Sequence, residues 1–353
     1  MTPHAIAMWS FDWLERRWPG GGFEDWATAL DELRERGYDA VRIDAYPHLI
    51  GRDPVRLLPI WPVHGWGSPL PNTIEPVLPS LIEFLALCKE RQVKVGLSSW
   101  FRNDVQHIRM EIKTAADHAE AWLTVLRAID EEDLLDTVLY VDLCNEWPDT
   151  DWAPYVHPTR LSRTDQRIMA WQEEVFATVR GEFPALPYTF SFSHELATWP
   201  EQDVSGYDLL EPHLWLGHTM EPGGFYAELG YDYDDPEQYT LLAERAQQLY
   251  LDRREHWQEQ LRAKVASMAQ WSRASGKPLM TTECWALIFW KDGPGLDWGW
   301  IKELAEVGIR AALATGCFTA LATSNFCSPQ FHGMWNDIAW HQRMTALIKG
   351  ETA

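Results

Sequence analysis

Residues 137–148 read Thr137-Val138-Leu139-Tyr140-Val141-Asp142-Leu143-Cys144-Asn145-Glu146-Trp147-Pro148. The first seven residues lack clean alternation, as expected of a parallel strand covered by helices on both faces. The stretch then turns polar and aromatic. The same phrase recurs along the chain, at Ala5–Trp9, Ala40–Ile43, Lys94–Ser98, Tyr188–Phe192, Leu209–His213, Leu279–Thr282 and Phe318–Ala322. With Thr137–Leu143 that makes eight runs.

Helical periodicity fills most of the gaps. Phe23, Trp26, Ala27, Leu30 and Leu33 share one face and stop at Gly37. Leu81, Leu85 and Cys88 mark another helix, and Trp122, Leu126 and Ile129 a third. Further helices are expected over Arg163–Glu182, Ile301–Leu313 and Ile338–Ile348, with Gln238–Ser275 helical in period but too long for one unbroken helix. The gap between the fifth and sixth runs leaves room for a turn or two. Eight strand–helix units predict a single-domain α/β protein, a (β/α)8 TIM barrel spanning residues 1–353. A doubly wound sheet would need a glycine fingerprint. Gly20-Gly21-Gly22 has neither its spacing nor its acidic partner and reads as a turn.

Composition narrows the function. Lys plus Arg is 30 against 52 Asp plus Glu, a formal charge of −22, which disfavours nucleic acid and anionic membrane as partners. Tryptophan is abundant at 21 residues, and its flat apolar face with an N–H handle suits sugar rings as well as cores. The five cysteines are scattered without a CxxC and read as reduced, buried thiols. No apolar run is long enough to span a bilayer, and the first residues lack a signal-peptide pattern, so the expected location is cytoplasmic.

A barrel keeps its chemistry at the C-terminal ends of its strands. Those ends offer Ser10, Phe11 and Asp12; Arg42, Asp44, Tyr46 and His48; Ser99, Trp100, Arg102 and Asp104; Asn145, Glu146 and Trp147; His194 and Glu195; His213 and Trp215; Glu283 and Trp285; Ser324, Asn325 and Phe326. Carboxylates, amides and aromatics with few lysines fit a neutral polyhydroxylated ligand. His194-Glu195-Leu196-Ala197-Thr198 starts like a zinc motif but lacks the second histidine, and no GxSxG is present, so no metal and no cofactor is expected.

Asn145-Glu146 after the fourth run, paired with Thr281-Thr282-Glu283 at the end of the seventh, resembles the clan A retaining glycoside hydrolases, in particular the cellulase-like barrels around family 5. The resemblance implies Glu146 as acid/base and Glu283 as nucleophile. It further implies that Arg42 braces Glu283 and that His213 occupies the aromatic position after strand six. One carboxyl must donate a proton to the leaving oxygen while the other, anionic, faces the anomeric carbon. Asn145 would bind the sugar 2-hydroxyl, Trp100, Trp147, Trp215 and Trp285 would be ring platforms, and Asp44 and Asn325 would complete the substrate contacts. Ser99-Trp100 stands where such cellulases often carry histidine, and Asn325-Phe326 replaces the usual closing tryptophan. The segment Gly217–Tyr239, acidic and aromatic, is expected to wall one end of the groove. The expected activity is hydrolysis of short β-linked oligosaccharides or glycosides, exo-acting. An endo-glucanase or mannanase, a silent sugar-binding barrel and a metal-dependent hydrolase are the alternatives.

Overall fold

The computed structural model describes residues 2–60, 65–218, 222–232 and 235–351. Strand one is His4–Ser10, strand two Ala40–Asp44, strand three Lys94–Ser98, strand four Val138–Asp142, strand five Tyr188–Thr189, strand seven Leu279–Thr281 and strand eight Phe318–Ala322. They form one parallel sheet in the order five, four, three, two, one, eight, seven. Most buried strand positions are valine, isoleucine, leucine, alanine or methionine, with Arg42, Asp44, Ser98 and Asp142 as buried polar exceptions near the strand ends.

The sixth run differs from expectation. Leu209–His213 forms no ladder; it reaches strand seven through a bridge at Leu210 and the fifth run through a bridge between Phe192 and Pro212. Pro212 has no N–H to give, which interrupts pairing at the middle of the run. Four backbone bonds still close the ring: Leu210 N to Pro278 O and Phe192 N to Glu211 O, with His213 N to Phe192 O and Met280 N to Leu210 O. Beyond this, Leu214–Trp215 pairs in parallel with Cys284–Trp285, just past strand seven. The result is a TIM barrel with a thin sixth stave.

The helices lie near the expected places. Trp26–Glu35 is capped by Asp25, whose side chain accepts from Ala27 N and Thr28 N. Ala115–Glu131 starts in a capping box between Thr114 and Asp117. The long periodic stretch breaks at Arg253 into Tyr239–Asp252 and Arg254–Ser275. The short gap after strand five holds a 3-10 segment, Leu196–Glu201. The three glycines are a turn whose amides are already occupied: Glu24 accepts from Gly20 N and Gly22 N.

One feature of the mouth was not legible. Between strand two and the helix Val77–Glu90, the chain makes a small antiparallel hairpin, Val55–Leu57 with Asn72–Ile74. Its connection is tied to the strand-one end of the barrel. Asp12 accepts from Gly67 N, Arg16 donates to the carbonyls of Gly65 and Gly67, and Asn72 donates to Glu15 O. Gly67 has φ +62°, and a Cβ there would press on the Glu15 carboxylate and the Phe11 ring.

Candidate active site

Glu146 and Glu283 face each other across the mouth. Glu146 follows strand four at φ +49°, a left-handed conformation that a non-glycine residue adopts only where its surroundings hold it. Those surroundings are visible: Glu146 N donates to Ser191 Oγ, Asn145 N to Ser99 O, and Trp147 N to Ser191 O. The Glu146 carboxylate accepts from Trp152 Nε1 at 3.1 Å and meets His213 Nδ1 at 3.0 Å. Glu283 accepts from Arg42 at 2.9 Å and lies 3.7 Å from the same His213 nitrogen. One oxygen of each carboxylate and a ring nitrogen of His213 all lie within 4.8 Å of one another.

Arg42 is wholly buried and organises the floor. Besides Glu283, it donates to Thr282 Oγ1 (3.0 Å), Ser98 Oγ (2.9 Å), Asp142 (2.7 Å) and Asn145 Oδ1 (2.7 Å). Its guanidinium lies 4.5 Å from the centre of the Trp100 ring. Burial pulls the arginine down, but the charge of Glu211 above all, then Tyr140, Asp142 and Glu283, outweighs it and raises its pKa. Burial pushes the Glu283 carboxyl up, while the charges of His213 and Arg42 pull it back. Burial likewise lowers His213, yet the Glu283 charge and the bond to Glu146 prevail, and the imidazole pKa is raised.

Sequence reasoning missed Asp142 and Glu211. Asp142 accepts from Ser98 Oγ, Ser191 Oγ and Ser191 N, joining strands three, four and five beneath Asn145. Glu211 accepts from Thr282 Oγ1 at 2.5 Å and sits 3.7 Å from Arg42. Both are acids inside apolar runs, and Glu211 lies two residues before His213. That spacing puts alternate residues of an extended chain on one face and could have flagged it.

The remaining site residues are placed as follows. Asn145 Oδ1 accepts from Arg42, and its buried Nδ2 has no protein partner. Asp44 is fully buried, accepting from Tyr46 N and Trp100 N, so it ties the ends of strands two and three together. Burial pushes its pKa up to about 7. Asn325 donates to the carbonyls of Leu287 and Ile288, fixing the segment after Glu283. Trp215 stands edge-on to His213 at 5.2 Å. Of the four expected platforms, Trp100 and Trp215 are each only 2% exposed, and the other two are corrected. Trp147 is 1% exposed, enclosed by Phe190, His118 and Trp171, and Trp285 is 0% exposed, donating to Ala322 O and packed on Gly308. Neither has a face open to a sugar. Phe225, Tyr226 and Tyr231 of the segment Gly217–Tyr239 are also buried, Phe225 against Trp257 and Trp300. Residues 219–221 and 233–234, with Met220 and Tyr233, lie outside the described residues. Glu195 accepts from Arg163 N and Ser162 Oγ, so the zinc-like stretch is occupied by local bonds.

The cluster of Glu146, His213 and Glu283 is also where the described residues come nearest to a cation site. A metal ion there would sit against the Arg42 guanidinium that already neutralises Glu283, so the cluster fits proton transfer better than metal binding.

The model of the sugar-binding cellulase-like family matches residues 6–349. The chain belongs to the cellulase-like family. A crystal structure of a candidate glycoside hydrolase from Parabacteroides distasonis is similar at 45% identity, with TM-score 0.95, over 99% of this chain and 94% of that one. A hyperthermophilic endo-β-1,4-glucanase solved with substrate shares the fold at TM-score 0.57 and 16% identity, covering 99% of this chain and 97% of its own. A Rhizomucor miehei family 5 mannosidase does so at 0.56 and 11%, covering 98% and 94%. No match is found among curated proteins. This cellulase-like chain thus has the barrel of glycoside hydrolases. No helix among the described residues is long and apolar enough to cross a membrane.

Proposed function

We propose that this cellulase-like protein is a retaining glycoside hydrolase that cleaves short β-linked oligosaccharides or glycosides, with Glu146 as acid/base and Glu283 as nucleophile. The observation that carries the reading is the carboxylate separation. Oxygens within 4.8 Å suit direct attack on the anomeric carbon, since retaining pairs stand about 5–5.5 Å apart and inverting pairs leave room for a water. Glu283 attacks C1 from one face while Glu146 protonates the departing oxygen, giving a glycosyl ester on Glu283. Glu146 then takes a proton from water, whose oxygen displaces Glu283. The buried Nδ2 of Asn145 has no protein partner, which supports its role as donor to the sugar 2-hydroxyl.

Trimming from a chain end is the proposed mode of action, with the connection tied to Asp12 and Arg16 at Gly65 and Gly67 as the element beside strand one that would bound the groove. The five cysteines are free thiols, four of them buried, which supports a reducing compartment such as the cytoplasm.

A screen of nitrophenyl glycosides identifies the sugar, and its 2-deoxy-2-fluoro glycoside then tests the mechanism. Its mass should appear on the peptide holding Glu283, and Glu283→Gln should abolish the label and lower kcat by several orders of magnitude. Azide should restore turnover of an activated glycoside by Glu146→Ala. A label elsewhere, or an inverted first product, defeats the assignment. A spread of intermediate lengths at early times on a labelled oligosaccharide favours the endo reading.

A further inference from the structure

We propose that Trp152 is a positioning residue for Glu146, its indole N–H deciding which of the two carboxyl oxygens carries the transferable proton. The inference rests on Glu146 as acid/base. Trp152 is 3% exposed, and its Nε1–H donates to Glu146 Oε2 at 3.1 Å. Donor and acceptor belong to one loop. Asp149 N donates to Glu146 O at 2.8 Å, and Trp152 N and Ala153 N both donate to Asp149 O, at 3.2 and 2.7 Å. These two successive turns bring the indole back onto the carboxylate. Asp151 N bonds the Asp149 side chain at 2.9 Å, and Arg109, from the segment after strand three, donates to Asp151 O at 2.6 Å. The other end of the bond is held as well, since Glu146 N donates to Ser191 Oγ at 3.0 Å. The charged groups around the carboxylate are His213 from the sixth run, Glu283 beyond strand seven, and Asp149 and Asp151 in its own loop. Asp149 is paired with His194 at 3.1 Å and Arg160 at 3.6 Å.

An indole only donates, and in a neutral carboxyl the carbonyl oxygen accepts better than the hydroxyl oxygen. When Glu146 is protonated, Oε2 is therefore the carbonyl and Oε1 the hydroxyl. Oε1 is the oxygen on the side of the gap, because it meets at 3.0 Å the His213 nitrogen that also lies 3.7 Å from Glu283. In the first step an electron pair of the Glu283 carboxylate forms the bond to C1. The C1–O bond to the leaving group breaks, and its pair takes the proton from Oε1. In the second step Oε1 takes a proton from water, whose oxygen bonds to C1 as the ester bond breaks toward Glu283. Oε2 keeps its indole bond throughout, so the carboxyl need not rotate between the steps. The same N–H favours the ionised carboxylate and holds the Glu146 pKa lower than it would be without Trp152.

The direct test follows the indole N–H signals of the whole protein by nitrogen-15 NMR across pH. One signal should shift as Glu146 ionises, lose that dependence in Glu146→Gln, and be missing from Trp152→Phe. If no indole signal loses its pH dependence in Glu146→Gln, or if the one that does persists in Trp152→Phe, the proposal is overturned. Kinetics supplies a second readout, because Trp152→Phe keeps a ring and removes the donor. On an alkyl glycoside of the sugar found by screening, kcat/KM should fall by about ten- to hundred-fold, the scale of a hydrogen bond to a charged group. On the dinitrophenyl glycoside, whose leaving group needs no proton, the fall should be much smaller. The alkaline limb should move upward by about one pH unit, since the ionised carboxylate has lost a donor. Equal loss on both substrates with an unmoved alkaline limb reduces Trp152 to packing and overturns the proposal. Failure of azide to restore Glu146→Ala would instead overturn the acid/base reading of Glu146, which separates the two failures.

Discussion

Arg42 makes hydrogen bonds or ion pairs to acids and hydroxyls from five different strand ends, three to seven, while wholly buried. Lysine cannot reproduce that planar fork. Arg42→Lys should therefore leave Asp142 or Glu283 without its cationic partner and destabilise the fold by about 3–5 kcal/mol in denaturant titrations. Substitution by methionine removes the charge altogether and should move the acidic limb of kcat/KM to higher pH, because Glu283 loses the cation that favours its ionised form. At this scale the sequence was informative where chemistry sits at strand ends. Glu146, Glu283, Arg42, Asn145 and His213 do converge. Asp142 and Glu211 were hidden because acids within apolar runs read as interruptions rather than as the floor of a site. Tryptophan misled for a different reason. Composition reports how many rings exist, and only packing tells that Trp147 and Trp285 are enclosed on all sides.

Elements are set by where backbone bonds can form and by how closely strands approach. Seven of the eight expected runs carry strand structure, and six of them match to within a residue at each end; the exception is Tyr188–Phe192, where the strand stops at Thr189. The sixth thins because of Pro212, a residue visible in the sequence whose cost depends on which neighbours need its N–H. The hairpin of Val55–Leu57 with Asn72–Ile74 was unreadable because three-residue strands carry too little periodicity. Gly96 shows how tightly the staves fit. A Cβ on this strand-three glycine would fall inside the ring of Tyr140 on strand four, whose hydroxyl reaches Glu211 at 3.4 Å. Gly96→Ala should cost about 1–3 kcal/mol by overpacking, read as a lower urea midpoint at unchanged m-value. It should also lower kcat, since Tyr140 stands under the site. Stability equal to wild type would mean that the ring has somewhere else to go.

For the whole molecule, pH pulls in two directions at once. Burial raises Asp12, Asp44 and Glu211 to about 7, above their unfolded values, so each favours the fold at low pH and loses its contribution as pH rises toward 7. Burial lowers His48 and His341 to about 3 and His118 to about 4, so each favours the fold above its unfolded value near 6.5 and loses its contribution as pH falls. Three falling terms meet three rising ones between roughly pH 4.5 and 6.5. The melting temperature should be nearly flat across that window and drop below it, where surface carboxylates such as Asp165, held down to about 2 by Arg167, begin to protonate. Glu211→Gln removes one falling term, and its melting temperature should climb from pH 5 to 6.5; calorimetry across that range checks both. The thin sixth stave has a consequence for the same molecule seen as a hoop. Strands four and seven, which carry the two glutamates, belong to one continuous band, and the band's loose ends meet only at the sixth run. That run is the clasp, and His213 is fixed to it, touching both carboxylates. The gap across which a bond is made and broken is therefore a diameter, and it is kept to size where the hoop is fastened by its fewest stitches.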